Sequence, residues 1–237
     1  MKFFIKVIIF LLSFEFLYPL TIVIDPGHGG KDPGAIKNGI KEKEINLKVA
    51  LLLKKIIKDK IPKVRVILTR DTDTYLSLQE RVDIANNYSN NNAIFISIHT
   101  NSHDKNEDAK GIEIYYFDNS SEKILKERID LIDQKINIGY KDKIRNILNR
   151  LVNSKLTIDS KRLANNISYA LNSLPGMNIR FVKPANFFVS SYVLNPSVLI
   201  EIGFINEYSI KKDSYLFDIS TGIVIGILNF YKENKFF

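Results

Sequence analysis

A chain of 237 residues, 45% hydrophobic and 25% charged, can bury a sizeable core and reads as one α/β domain carrying an insertion. The absence of cysteine excludes disulfides, thiolate ligands, a cysteine nucleophile and a lipoprotein anchor, so any metal must be held by His, Asp or Glu. A net charge of +8 favours anionic surroundings such as wall polymers, but lysine is spread along the chain with no tryptophan and no basic-aromatic stripe, so no nucleic-acid partner is expected.

Lys2 and Lys6 precede the apolar run Val7–Phe14, the pattern of a secretory signal peptide. Residues 1–20 are therefore expected to be a signal peptide without a clear cleavage site, on a protein that is exported and periplasmic or cell-wall associated. Glu15 interrupts the run, which is too short to span a bilayer, so membrane contact is expected only through an uncleaved N-terminus. Residues 21–237 then make up the domain.

The first strand, Thr21 to Asp25, runs into the turn Pro26-Gly27-His28-Gly29-Gly30 and a loop through Gly34 and Gly39. A helix starts near Glu42, with Ile45, Val49, Leu52 and Ile56 on one face. Val64–Leu68 is the second strand, and Ser77 with Glu80 forms a capping-box pattern opening the next helix. Strands follow at Ile94–Ile98 and Gly111–Phe117. Residues 118–156 lack a strand pattern and form a helical insertion: Leu125, Ile129, Ile132 and Ile136 make one stripe, Ile144, Leu148 and Leu151 another, with Gly139-Tyr140 between. A helix carrying Leu163, Ile167, Ala170 and Leu174 comes next. Phe187-Phe188-Val189 reads as a short strand and Val198–Ile202 as the last central one. The apolar helix from Tyr215 to Tyr231 carries Asp218, Ser220, Thr221 and Asn229, which mark it as packed rather than membrane-spanning. Alternating strands and helices predict a mostly parallel central sheet flanked by helices.

Three apolar runs end on chemically capable side chains: His28, His99 and Glu201. Ligands bind beyond the carboxyl ends of strands in such sheets, and two imidazoles with carboxylates are the makings of a catalytic zinc site. Asp25, Asp32, Glu42, Glu44 and Glu201 are all candidates for the third ligand, and spacing alone does not separate Glu42 from Glu44. Either could instead complement the helix dipole. The glycine-rich turn lacks both Walker spacing and a GxGxxG, which weakens a phosphate-cradle reading.

The run Val23-Ile24-Asp25-Pro26-Gly27-His28-Gly29-Gly30-Lys31-Asp32-Pro33-Gly34-Ala35, followed by Glu42-Lys43-Glu44-Ile45-Asn46-Leu47, resembles the zinc-dependent N-acetylmuramoyl-L-alanine amidases. Ser97-Ile98-His99-Thr100-Asn101 and Pro196–Ile205 are similar to that family's other two blocks, in the same order. The resemblance implies one zinc ion bound by His28, Glu42 and His99 with water in the fourth position. It further implies Glu201 as the catalytic glutamate and Asn101 lining the site, with Glu44 as a helix-start residue. His103 matches nothing in the motif and reads as surface. The implied reaction is hydrolysis of the amide between N-acetylmuramic acid and L-alanine of peptidoglycan, in cell-wall remodelling or daughter-cell separation. A catalytically silent peptidoglycan-binding relative and a zinc peptidase acting on another wall peptide bond are the alternatives. Some members carry a helical insertion that occludes the zinc until an activator protein displaces it; Glu122, Glu127, Asp130 and Asp133 are available here for that role. A monomer is expected.

Overall fold

The computed structural model describes residues 20–89, 92–103, 109–118, 121–135 and 142–233. The expected signal peptide lies outside them but for Leu20. In chain order the elements are β1 (Thr21–Pro26), β2 (Ile36–Lys37), β3 (Ile40–Lys41), α1 (Glu42–Lys60), β4 (Arg65–Leu68), α2 (Leu78–Asn86) and β5 (Ala93–Asn101). They continue with β6 (Ile112–Tyr116), α3 (Glu122–Lys135), α4 (Asp142–Asn172), β7 (Ile179–Pro184), α5 (Phe188–Tyr192), β8 (Ser197–Phe204) and α6 (Asp213–Glu233). Six strands form one sheet in the order β4-β1-β5-β8-β6-β7, in which only the β6–β8 pair is antiparallel. The expected mostly parallel sheet flanked by helices is what folds.

The sheet is the middle layer of three. Ile22, Ile24, Ile96, Ile98, Ile200 and Ile114 point to one face, where α1, α4 and α6 cover them in the main core. Val23, Phe95 and Leu199 point to the other, where Val82 and Ala85 of α2 and Val189 and Val193 from α5 and its end cover them. Every residue of β1 is buried, as a strand covered on both faces requires. α6 is long and apolar enough to cross a membrane, but Leu216, Ile219, Ile223, Ile227 and Phe230 are buried, and the helix packs on α1 and α4 as its polar residues predicted.

Several local expectations are corrected. Phe187–Val189 is not a strand: Ser191 N–H bonds to Phe187 O and α5 starts there, so a helical turn overrides the β propensity of the aromatics. β7 has no strong alternation and ends on a proline, which hid it in the sequence; it survives as an edge strand, where proline is tolerated. Asn38-Gly39, both at positive φ, turn the β2–β3 hairpin that reads as loop in the sequence. In α1 it is Leu53 that is fully buried, with Leu52 at the margin.

The insertion differs most. No break occurs near residue 156, because no glycine or proline interrupts Asp142–Asn172 and the helix runs through. Leu148 and Leu151 are exposed, and the inward face of this stretch is Asn149, Asn153 and Ser160. The reason lies across the interface. Arg128 of α3 is fully buried, donates to Asn153 Oδ1 (2.7 Å), Val193 O (3.0 Å) and Ser191 O, and needs a polar wall.

Candidate metal centre

β1 delivers the chain to a turn in which His28 is held at φ 61°, a conformation that few non-glycine residues adopt. Two buried arginines hold the turn by its carbonyls. Arg70 donates to Pro26 O (3.0 Å) and Gly27 O (2.9 Å); Arg81 donates to Pro26 O (2.8 Å) and His28 O (2.7 Å). Asp25 is the counter-ion of Arg81 at 2.8 Å and also accepts from Thr69 (2.6 Å) and Ser97 (2.9 Å). Its carboxylate is consumed by this network, which removes it from the ligand candidates.

Glu42 opens α1 and is buried between the two imidazoles. Its Oε2 lies 3.2 Å from His28 Nε2, and its Oε1 lies 3.0 Å from His99 Nδ1. Backbone N–H groups of Thr100 (3.1 Å) and Ala35 (3.0 Å), with the Asn46 amide (3.2 Å), fix the carboxylate in place. One donor atom from each of His28, Glu42 and His99 lies within 4.8 Å of the others. Two imidazoles and a carboxylate are donors that zinc takes, and here they stand close enough together to share one ion. Asp32 Oδ2 stands 2.8 Å from His28 Nδ1, the outer carboxylate that fixes which ring nitrogen faces a metal. Glu44 is exposed and pairs with Lys41 at 3.8 Å, turned away from the cluster.

Charge in the cluster follows from this packing. Burial opposes a charged His28, yet the hydrogen bonds and negative charge of Glu42, then Asp32, outweigh it and raise its pKa to about 9. Burial also works against ionised Glu42, but bonding to His28 and His99 holds its carboxyl well below the usual range. His28 thus carries a proton where a cation would sit, and a bound ion would displace it.

Close packing explains two of the motif's glycines. A Cβ on Gly27 would stand 2.3 Å from the His99 ring. One on Gly34, at φ 64°, would stand 2.6 Å from Glu42 Oε2 and 2.7 Å from His28 Cδ2.

Glu201 pairs in register with His99 on one side and with Glu113 on the other. Its Oε2 is buried and has no hydrogen-bond partner among the described residues. Burial is the main influence that pushes its pKa up to about 7, and the charges of Glu42 and Glu113 add to it against the imidazoles. An orphaned buried carboxylate oxygen is costly and marks a group held for a ligand or a proton. Asn101 sits at the end of β5 and donates to Glu113 Oε2 at 2.9 Å. His103 is exposed, as expected, and also lines a polar cleft of about 330 Å³ with Lys37, Ser102 and Asn206.

Sequence reasoning missed Arg70, Arg81 and Glu113. Glu113 did leave a signal, as a carboxylate inside the apolar strand Ile112–Tyr116, whereas the arginines look like ordinary surface charges. Of the acidic residues expected to be available in the insertion, Glu122, Glu127 and Asp130 have described side chains. Glu122 and Asp130 are exposed, and Glu127 accepts from Tyr192 on α5. Asp133 falls outside the described side chains. Among the described residues, no hydrogen bond or ion pair joins His28, Glu42, His99 or Glu201 to residues 118–156.

A family model described as N-acetylmuramoyl-L-alanine amidase matches residues 22–229. The probable N-acetylmuramoyl-L-alanine amidase AmiB of Haemophilus influenzae is 44% identical over 121 residues, covering 48% of this chain and 27% of that protein. The sporulation-specific N-acetylmuramoyl-L-alanine amidase of Bacillus subtilis is 47% identical over 83 residues, covering 35% of this chain and 32% of that protein. The matched stretch thus spans less than a third of either curated relative. Among solved structures, an N-acetylmuramoyl-L-alanine amidase from Clostridium difficile 630 superposes with a TM-score of 0.69 at 29% identity, over 91% of this chain and 98% of that one. The CwlD amidase from Clostridioides difficile, solved in complex with the GerS lipoprotein, gives 0.68 at 26% identity, over 90% and 98%.

Proposed function

The chain belongs to the N-acetylmuramoyl-L-alanine amidase family, and from that premise we propose that it hydrolyses the amide joining the lactyl group of N-acetylmuramic acid to L-alanine in peptidoglycan. His28, Glu42 and His99 hold one zinc ion. When bound, zinc supplies Lewis-acid polarisation of the carbonyl and lowers the pKa of a coordinated water towards about 7. Two neutral imidazoles and one carboxylate leave the centre a net positive charge, which favours an electron-rich amide oxygen.

Glu201 is the proton carrier. It takes a proton from the attacking water as the water oxygen bonds to the carbonyl carbon. It returns that proton to the alanine nitrogen as the C–N bond breaks. Its raised pKa suits it to hold a proton between these steps near neutral pH. Asp32 fixes the His28 ring, and Arg70 and Arg81 hold the turn that carries it. Asn101, steadied by Glu113, lines the substrate side.

The same reading includes export through residues 1–20, action in the periplasm or cell wall during remodelling or cell separation, and a monomeric catalytic domain. A protein partner acting through the 118–156 insertion belongs to it as well, supported by the neighbour solved with GerS.

The observation that carries the reading is the buried, unpartnered Oε2 of Glu201 on the strand beside His99, next to a His–Glu–His donor set. The test is digestion of purified peptidoglycan by the zinc-loaded chain, with and without a chelator. Free stem peptides bearing an amino-terminal L-alanine, lost on chelation, support it. Fragments still joined to muramic acid reject it.

A further inference from the structure

Two register slips converge beside Glu201. Between β5 and β8, His99 faces Glu201 but Asn101 faces Phe204; between β6 and β7, Ile112 faces Ile179 but Glu113 faces Phe181. Each leaves an extra residue on one strand, and such bulges re-aim side chains. The second one makes Arg180 the extra residue and swings it to the face that bears Glu113. Arg180 Nε lies 3.2 Å from Glu113 Oε1, and its guanidinium carbon lies 5.0 Å from the centre of the Phe204 ring. Glu113 is the antiparallel partner of Glu201, so the two share a face and the arginine sits one step further out along it.

We propose that Arg180 is a specificity residue that binds the free carboxylate of the stem-peptide residue following L-alanine. The inference rests on the amidase reading above. In the stem, that residue is a glutamate linked through its side chain, which leaves its α-carboxylate free. Glu113 is buried and fully engaged: Asn101 Nδ2 (2.9 Å) and Tyr115 OH (2.8 Å) donate to its other oxygen. It therefore acts as a positioning residue that takes Nε of Arg180 and orients the fork. Among the described residues no acceptor bonds Nη1 or Nη2, and the side chain is 35% exposed. Two coplanar N–H edges on a fixed guanidinium are the geometry that a carboxylate binds bidentately.

The reach agrees. Neighbouring strands lie about 4.8 Å apart, so β7 stands about 10 Å from β8, and the Arg180 side chain extends back over part of that span. An extended peptide advances about 3.3 Å per residue, which places a carboxylate two residues from the reacting carbonyl about 7 Å away. A purely structural Arg180 would neutralise Glu113 and do no more.

The experiment compares two synthetic muramoyl peptides differing only in whether the α-carboxylate after L-alanine is free or amidated, using the full zinc-loaded chain. The native chain is expected to prefer the carboxylate form by about tenfold or more in kcat/KM. Arg180→Gln should lose that preference through KM, with the amidated substrate changed less than about threefold, and Arg180→Lys should keep part of it. Equal loss on both substrates in both variants, an indifferent native enzyme, or an unchanged preference in Arg180→Gln overturns the proposal. So does transfer of the effect to Lys183→Gln, the other cation of β7, whose Nζ lies 3.9 Å from the centre of the Phe181 ring. A native chain that cleaves neither peptide overturns the amidase reading itself.

Discussion

Arg81→Met probes how much of the site's rigidity comes from one buried ion pair. Arg81 is 3% exposed and Asp25 fully buried, at 2.8 Å, so the substitution leaves a buried carboxylate hydrogen-bonded only by the Thr69 and Ser97 hydroxyls. Breaking a buried pair from one side costs about 3–5 kcal/mol. The nearby guanidinium of Arg70, whose pKa burial and then Arg81 hold down, gains from losing a like charge and draws the cost to the lower end of that range. Pro26 O keeps its bond from Arg70, but His28 O loses its donor, worth about 1 kcal/mol. The net effect is about 4 kcal/mol. At about 2–4 °C per kcal/mol for a chain of this size, the unfolding midpoint should fall by roughly 8–16 °C. Calorimetry with chelator present measures this without a contribution from metal binding. Adding Asp25→Asn removes the stranded charge while keeping an acceptor for Thr69, and should recover at least about 1.5 kcal/mol. A midpoint shift below about 3 °C, or a double variant no more stable than the single, would refute the assignment of Asp25 and Arg81 as a mutually dependent pair.

The other predictions concern the metal and the proton. Asp32→Asn should weaken zinc binding about ten- to a hundredfold while leaving the far-ultraviolet spectrum unchanged, as read by competition with a chromophoric chelator. Gly34→Ala must push a methyl group against Glu42 and His28 at positive φ. Zinc content after dialysis should drop below half of the native value, and full retention would show that the loop yields. Glu201→Gln should bind zinc with native affinity but lose at least about a hundredfold in turnover, and activity within tenfold of native would remove Glu201 from proton transfer.

The strands were legible because burial on both faces demands near-continuous apolar runs, and Ile22–Ile24, Ile94–Ile98 and Val198–Ile200 are such runs. β7 and α5 were not, because an edge strand and a five-residue turn owe their form to neighbours rather than to their own pattern. The outward Leu148 and Leu151 show the same limit. A leucine stripe predicts a buried face only when the facing surface is apolar, and here it presents the buried cation of Arg128.

At the centre, the sequence by itself determined the chemistry on offer: two histidines and a glutamate at strand ends, no thiolate, and glycines where backbone and rings crowd together. It left Asp25, Asp32, Glu42, Glu44 and Glu201 as rival carboxylates, and resemblance alone favoured Glu42. Only the tertiary structure assigns each its place. Arg81 occupies Asp25, Asp32 backs the far nitrogen of His28, Glu44 faces solvent, and Glu42 stands between the imidazoles. Glu113 and Arg180 needed the fold as well, since antiparallel register sets Glu113 against Glu201 and a bulge in β7 turns Arg180 onto Glu113. The physical reason is the same throughout. Side-chain type is a local property, whereas the direction of a carboxylate or guanidinium is set by partners from distant parts of the chain, and those partners meet only after the strands have paired.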